Sequence, residues 1–114
     1  MKVTLDYPPA SLSPNKRLHW SKVSKAKAQY RKSCWADCKA AGWHKIDMAH
    51  VHVRITFHPP DKRRRDLDNM LSSFKAGIDG IVDAIGVDDS DWEITLHKSP
   101  DTKGCVVVEL MEED

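Results

Sequence analysis

The sequence predicts a single α+β domain over residues 1–114, a mixed β-sheet carrying two main helices in the order β-α-β-α-β-β. Three observations carry that expectation. The segment HVHVRITFH (50–58) alternates Val51, Val53, Ile55 and Phe57 with polar residues, the period-two sign of a half-buried strand. Leu67, Met70, Leu71, Phe74, Ile78, Ile81, Val82 and Ile85 instead form one apolar stripe at the helical period. With 114 residues and 40% apolar content, the chain can bury one core and is too short for two ordinary domains.

Taken in order, KVTLDY (2–7) alternates Val3 and Leu5 with polar neighbours and stops at Pro8-Pro9, which reads as a short strand entering a loop. The loop runs to about Trp20. From Ser21 to Ala41, Val23, Ala26, Tyr30, Cys34, Cys38 and Ala41 recur at three- and four-residue spacing, which predicts a helix ending near Gly42. Its other faces carry Lys22, Lys25, Lys27, Arg31 and Lys32. Pro59-Pro60 ends the strand at 50–58, and a second helix opens at Asp66 or Leu67 and stops at Gly86. WEITLHK (92–98) and CVVVELM (105–111) read as two strands joined by a turn around SPDTKG. No internal repeat or low-complexity segment is present.

The N-terminal MKVTLDYPPASLS lacks the long apolar segment of a secretion signal, and no stretch approaches the roughly 18 apolar residues of a membrane span. A soluble, cytoplasmic protein with no membrane partner is expected. Cys34, Cys38 and Cys105 have neither disulfide-framework nor zinc-ligand spacing and read as reduced thiols.

Charge is divided sharply along the chain. Residues 1–65 hold 15 Lys or Arg against four acids, a balance of +11, whereas residues 66–114 hold three against 13, a balance of −10. The two halves meet in KRRRDLDNM (62–70), where four cations run into two aspartates. A polyanion drawn to the first half is repelled by the second unless a cation sits among its acids.

Two helical residues separated by one position point about 200° apart, so Asp66 and Asp68 cannot share a cation if both are helical. An extended Asp66 at the N-cap followed by Asp68 in the first turn lets them converge. Capping alone also accounts for both residues. A further cluster, Asp88, Asp89 and Asp91, follows the same helix, and carboxylates from separate elements are how Mg²⁺ is usually held. An EF-hand is the wrong template, since its sixth position would be Leu71 and its twelfth Gly77. Lys75 lies seven residues beyond Asp68, about 20° from it on a continuous helix. It could stabilise charge on a phosphate or pair with Asp79.

The run PPDKRRRDLDN after a strand, then a helix, then GVDDSDW, resembles the RusA family of Holliday-junction resolvases of bacteria and their phages. The resemblance covers nearly the whole chain, including YPPASLSPNKRLHWSKVSKAKAQYR, where a Pro-rich loop leads into a basic helix as in many phage members. It implies a Mg²⁺-dependent endodeoxyribonuclease of a bacterial host, phage or prophage, which acts as a homodimer and resolves four-way DNA junctions by paired nicks. The family's metal-binding acids fall on Asp66, Asp68 and Asp89, with Asp88 adjacent. Lys16, Arg17, His19, Lys62, Arg63, Arg64, Arg65 and Asn69 are the DNA contacts that follow from it. Where some relatives carry a functional lysine this chain has Ser72, and Lys75 stands one turn later.

The expected chemistry is therefore phosphodiester hydrolysis, with Asp66, Asp68 and Asp89 holding Mg²⁺ and Lys75 or an arginine offsetting developing charge. The strand at 51–57 and the helix faces are candidate surfaces for the dimer. Other classes remain: a nuclease for other branched DNA, a non-catalytic nucleic-acid-binding module, or a protein-interaction adaptor. Of the four tryptophans, Trp20 in the basic loop is the best candidate for stacking on a base, while Trp35, Trp43 and Trp92 read as packing residues. His50, His52 and His58 read as structural.

Overall fold

The alternating segments become β1 (Lys2–Asp6), β2 (Val51–His58), β3 (Trp92–Lys98) and β4 (Cys105–Met111) in a computed structural model that describes residues 1–111. The helices are α1 (Trp20–Ala40), α2 (Leu67–Ser73) and α3 (Lys75–Ile85), with short 3₁₀ turns at Ala10–Leu12 and Asp89–Asp91. The result is an α+β domain with one mixed sheet, as the sequence predicts.

The strands line up in the order β1-β4-β2-β3. β4 runs antiparallel to both β1 and β2, placing Val108 beside Val3 and Ile55, and Val106 beside Leu5 and Phe57. β3 runs parallel to β2, with Val53 beside Ile94. Register partners share a face, so the buried residues of β1, β2 and β4 form one apolar surface under the helices. The turn after β3 is present, but the strands it joins are not neighbours, because β2 lies between them. The chain crosses the end of β2, where the Ser99 amide donates to the Phe57 carbonyl at 2.8 Å. β2 is interior, so it has no free edge to offer a second copy; the sheet's edges are β1 and β3.

The stripe predicted as one helix over 67–85 is broken at Phe74, whose backbone sits at φ −90°, ψ −1°. Two causes act together. The Ser73 hydroxyl donates to the Asn69 carbonyl four residues back at 2.9 Å, competition of the kind that bends helices. Phe74 is meanwhile drawn fully into the core, edge-on to Phe57 at 5.8 Å and to Tyr30 at 6.2 Å. Beyond the break α3 stops at Gly86, left-handed at φ 76°, whose amide donates to the Val82 carbonyl.

α1 lies across α3 and is tied to β1 by the Tyr30 hydroxyl, which donates to the Asp6 carbonyl at 2.5 Å. Burial pushes the Cys34 and Cys38 thiols up to about 12, so both pack as neutral groups. Trp43 is also buried, whereas Trp35 is 40% exposed and so departs from a pure packing role. The two helices touch through Gly80: a Cβ there would stand 2.4 Å from the Arg31 carbonyl oxygen. Backbone cannot rotate away as a side chain can, so Gly80→Ala must push α1 off α3. A loss of about 1–3 kcal/mol is expected in urea denaturation, the usual cost of overpacking. Among the described residues no helix is long and apolar enough to cross a membrane.

Candidate nucleic-acid interface and acidic site

The basic run divides into one structural cation and three open ones. Arg65 Nη1 donates to Asp61 Oδ1 at 2.7 Å and to the Asp61 carbonyl at 3.2 Å, and its guanidinium lies 5.8 Å from the centre of the Tyr7 ring. The Arg63 amide donates to the same Asp61 carboxylate at 2.9 Å. Only a fifth of the Arg65 side chain is exposed, against 84% for Arg63. Arg65 therefore braces the loop that presents Lys62, Arg63 and Arg64, all of them exposed. Asp61 is the organising residue that motif reading passed over; its one sequence signal is the four-residue spacing to Arg65.

This brace sets the loop against the segment that follows β1. Between them opens a cleft of about 450 Å³, bordered by Asn15, Lys16, Arg63, Arg64, Asp66 and Asn69 together with Tyr7, Pro8 and Pro9. The sequence-distant basic segments thus converge on one concavity that also holds an acid. Arg17, His19 and Lys62 are exposed but do not line it. His19 instead caps α1, its Nδ1 accepting from the Ser21 amide at 3.3 Å.

Asp66 has the extended backbone expected of it, φ −88° and ψ 144°, and precedes α2, with Asp68 in the first turn. Its carboxylate makes no cap bond, so capping does not account for it. Both acids are exposed, and neither carboxylate has a hydrogen-bond or ion-pair partner among the described residues.

Asp79, Asp88 and Asp89 are engaged. Lys75 Nζ lies 2.5 Å from Asp89 Oδ2 and 3.4 Å from Asp79 Oδ1, which raises the lysine's pKa, chiefly through the bond to Asp89. Asp88 accepts from the Ser90 amide at 2.9 Å, and that bond lowers its pKa. The break at Phe74 makes Lys75 the first residue of α3, so the spacing to Asp68 that holds on a continuous helix does not apply. Among the described residues, no three His, Cys, Asp or Glu side chains are gathered closely enough to hold a metal ion. The Asp66, Asp68 and Asp89 set is thus not preassembled. Two bare carboxylates at Asp66 and Asp68 suit Mg²⁺, which commonly takes one or two protein carboxylates with water and phosphate; Asp89 is paired with Lys75.

A second cleft of about 470 Å³ lies on the other side of Ser73, bordered by Lys27, Arg31, Ser72, Lys75 and Asp79. Ser73 borders both clefts, but in the second one Arg31 is paired with Asp83 and Lys75 with Asp79 and Asp89.

The histidines of β2 and the crossover make structural contacts. His52 meets Thr95 Oγ1 at 2.7 Å. His58 Nδ1 meets Asp101 Oδ1 at 2.8 Å, and the Ser99 hydroxyl donates to Asp101 Oδ2 at 2.6 Å. The Ser99 hydroxyl and then His58 hold the Asp101 carboxyl down to about 2, as Arg65 does for Asp61. A depressed carboxyl stabilises the fold above its unfolded pKa near 3.8 and loses that contribution as pH falls toward 2. Thermal stability should therefore drop between about pH 4 and 2, and the Asp61→Asn, Asp101→Asn double variant should lose less over that window. A wild-type melting temperature flat across it would contradict these assignments.

The fold and site together define an α+β protein with a cationic cleft bordered by one unpaired acid, Asp66. No protein-family model matches the chain. It is similar to an uncharacterized protein of Xylella fastidiosa, with 41% identity over 90 residues that cover 76% of this chain and 59% of that protein. The chain thus spans less than two thirds of that relative's length.

Proposed function

We propose that this chain is a structure-selective endodeoxyribonuclease of the RusA type, which binds four-way or branched DNA and cleaves it with Mg²⁺. One observation carries the proposal: a single cleft brings Lys16, Arg63 and Arg64 together with Asp66, an acid that neither caps its helix nor pairs with a cation. A bare carboxylate among the arginines repels phosphate, a cost that a bound cation would offset.

Arg63 and Arg64 draw the phosphate backbone toward the acids, and Arg65 with Asp61 keeps that loop in place. Asp66 and Asp68 are the residues that would hold Mg²⁺, with phosphate and water completing its shell. Lewis-acid stabilisation of the phosphoryl oxygens and a more acidic attacking water are what Mg²⁺ supplies when bound. Lys75 is paired with Asp79 and Asp89 at the second cleft, so it would offset charge on the phosphate only after leaving those acids. Two symmetric nicks need two such sites, which a two-fold homodimer supplies.

Removing two phosphate contacts should show in salt dependence. Arg63→Ala, Arg64→Ala should lower the slope of log affinity against log salt by up to about 1.8 on duplex arms. An unchanged slope would remove these arginines from the interface.

The Lys75–Asp89 pair favours a second reading, a non-catalytic nucleic-acid-binding module whose downstream acids are structural. Incubation of the purified protein with an end-labelled synthetic four-way junction, with and without Mg²⁺, separates the two. Paired nicks that require Mg²⁺ support the nuclease; salt-sensitive binding without nicks supports the module.

A further inference from the structure

Trp20 opens α1 with 73% of its surface exposed, more than any other large apolar side chain among the described residues. A single exposed apolar residue is ordinary; its surroundings here are not. Residues 7–36 hold seven Lys or Arg and no Asp or Glu, so Trp20 stands in an uninterrupted cationic segment beside Lys16, Arg17 and Lys22. Leu18, two residues earlier, is also 42% exposed. The His19 ring lies 5.6 Å from the indole at an interplanar angle of 33°, and Ser21 Oγ, 2.7 Å from His19 Nδ1, fixes that ring. Two adjacent aromatic rings thus stand in water on the same loop as Asn15 and Lys16, which line the cleft beside Arg63.

Phosphate needs only the cations. The exposed π-face matches a ligand that combines an anionic backbone with a flat apolar group, and a duplex hides its bases whereas an unpaired strand offers them. We infer that Trp20, supported by His19, is a stacking platform for an unpaired nucleobase of single-stranded or branch-point DNA. This deepens the nuclease reading and rests on its DNA-binding half: it names the feature by which the surface distinguishes open from paired DNA.

The test uses the intact chain, an oligothymidylate of about 12 nucleotides and a blunt duplex of equal length, within the site sizes such grooves cover. The oligothymidylate should quench the intrinsic fluorescence of the wild type, and Trp20→Ala should abolish most of that quench. Trp20→Ala should weaken oligothymidylate binding by about 5- to 150-fold, the range that loss of one stacked base produces, while Trp20→Phe stays within a few-fold of the wild type. Duplex affinity should change less than about twofold in both variants, because the phosphate contacts remain. Equal losses on both DNAs, or unchanged oligothymidylate binding and quench in Trp20→Ala, would overturn the inference. Absence of junction nicking with the Trp20 discrimination intact would sink only the nuclease reading. Normal nicking without Trp20 dependence would sink only the platform, and no affinity for either DNA would sink both.

Discussion

Asp68→Asn is expected to leave affinity for a four-way junction within about twofold of the wild type and to lower the nicking rate by more than about a hundredfold, beyond what loss of a residue that merely orients a metal ligand costs. The substitution preserves shape and removes one negative charge from an exposed position in the first turn of α2. Its structural cost is confined to the helix-dipole interaction, about 0.3–1 kcal/mol. The carboxylate has no partner among the described residues to leave stranded, so unfolding cannot account for lost cleavage. Binding could even tighten, since a like charge no longer faces the phosphates. Gel-shift and denaturing-gel assays on one labelled junction read the two quantities separately. Simultaneous loss of both would place Asp68 among residues that shape the surface rather than those that act on the phosphodiester.

Phe74→Ala is expected to destabilise the fold by about 3–5 kcal/mol, a large fraction of the 5–15 kcal/mol of a typical domain. Phe74 is fully buried at the break between α2 and α3, and its ring meets Phe57 of β2 and Tyr30 of α1, so one side chain joins the sheet to both helical segments. The cavity left behind cannot refill easily: Gly77, which lies against the Phe74 ring, has no side chain to move in. Because α2 carries Asp66 and Asp68 at its start, nicking should fall with the folded fraction and recover on cooling. Phe74→Leu, which keeps most of the volume, should lose far less in urea denaturation. Similar losses in both variants would place the ring outside the centre of the core.

The parts of this architecture set by local chemistry were legible in the sequence. Alternation marks β1, β2 and β4 because their neighbours in space restore the apolar face every second residue, and Gly86 marks the end of α3 because it takes the left-handed conformation there. The junction before α2 was legible for the same reason, an extended Asp66 followed by a helical Asp68. What depends on distant partners was not. An apolar stripe looks continuous through Phe74, and the break comes from a serine back-bond joined to ring packing contributed by β2 and α1. Past that break Lys75 pairs with Asp89, and the three aspartates are not gathered into one cluster. Likewise, four adjacent cations look equivalent until Asp61 and Tyr7 claim Arg65. Strand order was also hidden, since nothing local in residues 92–111 reveals that β2 separates β3 from β4.

In the proposed nuclease adjacent residues divide the work, with arginines binding DNA and aspartates acting on it. Single-turnover nicking of a four-way junction at saturating protein, compared between Asp68→Asn and the Arg63→Ala, Arg64→Ala variant, tests it most directly. The aspartate variant should leave a bound but uncut junction, and the arginine variant should cut near-normally once enough protein is present to fill the DNA. Cutting at the wild-type rate by Asp68→Asn would contradict it.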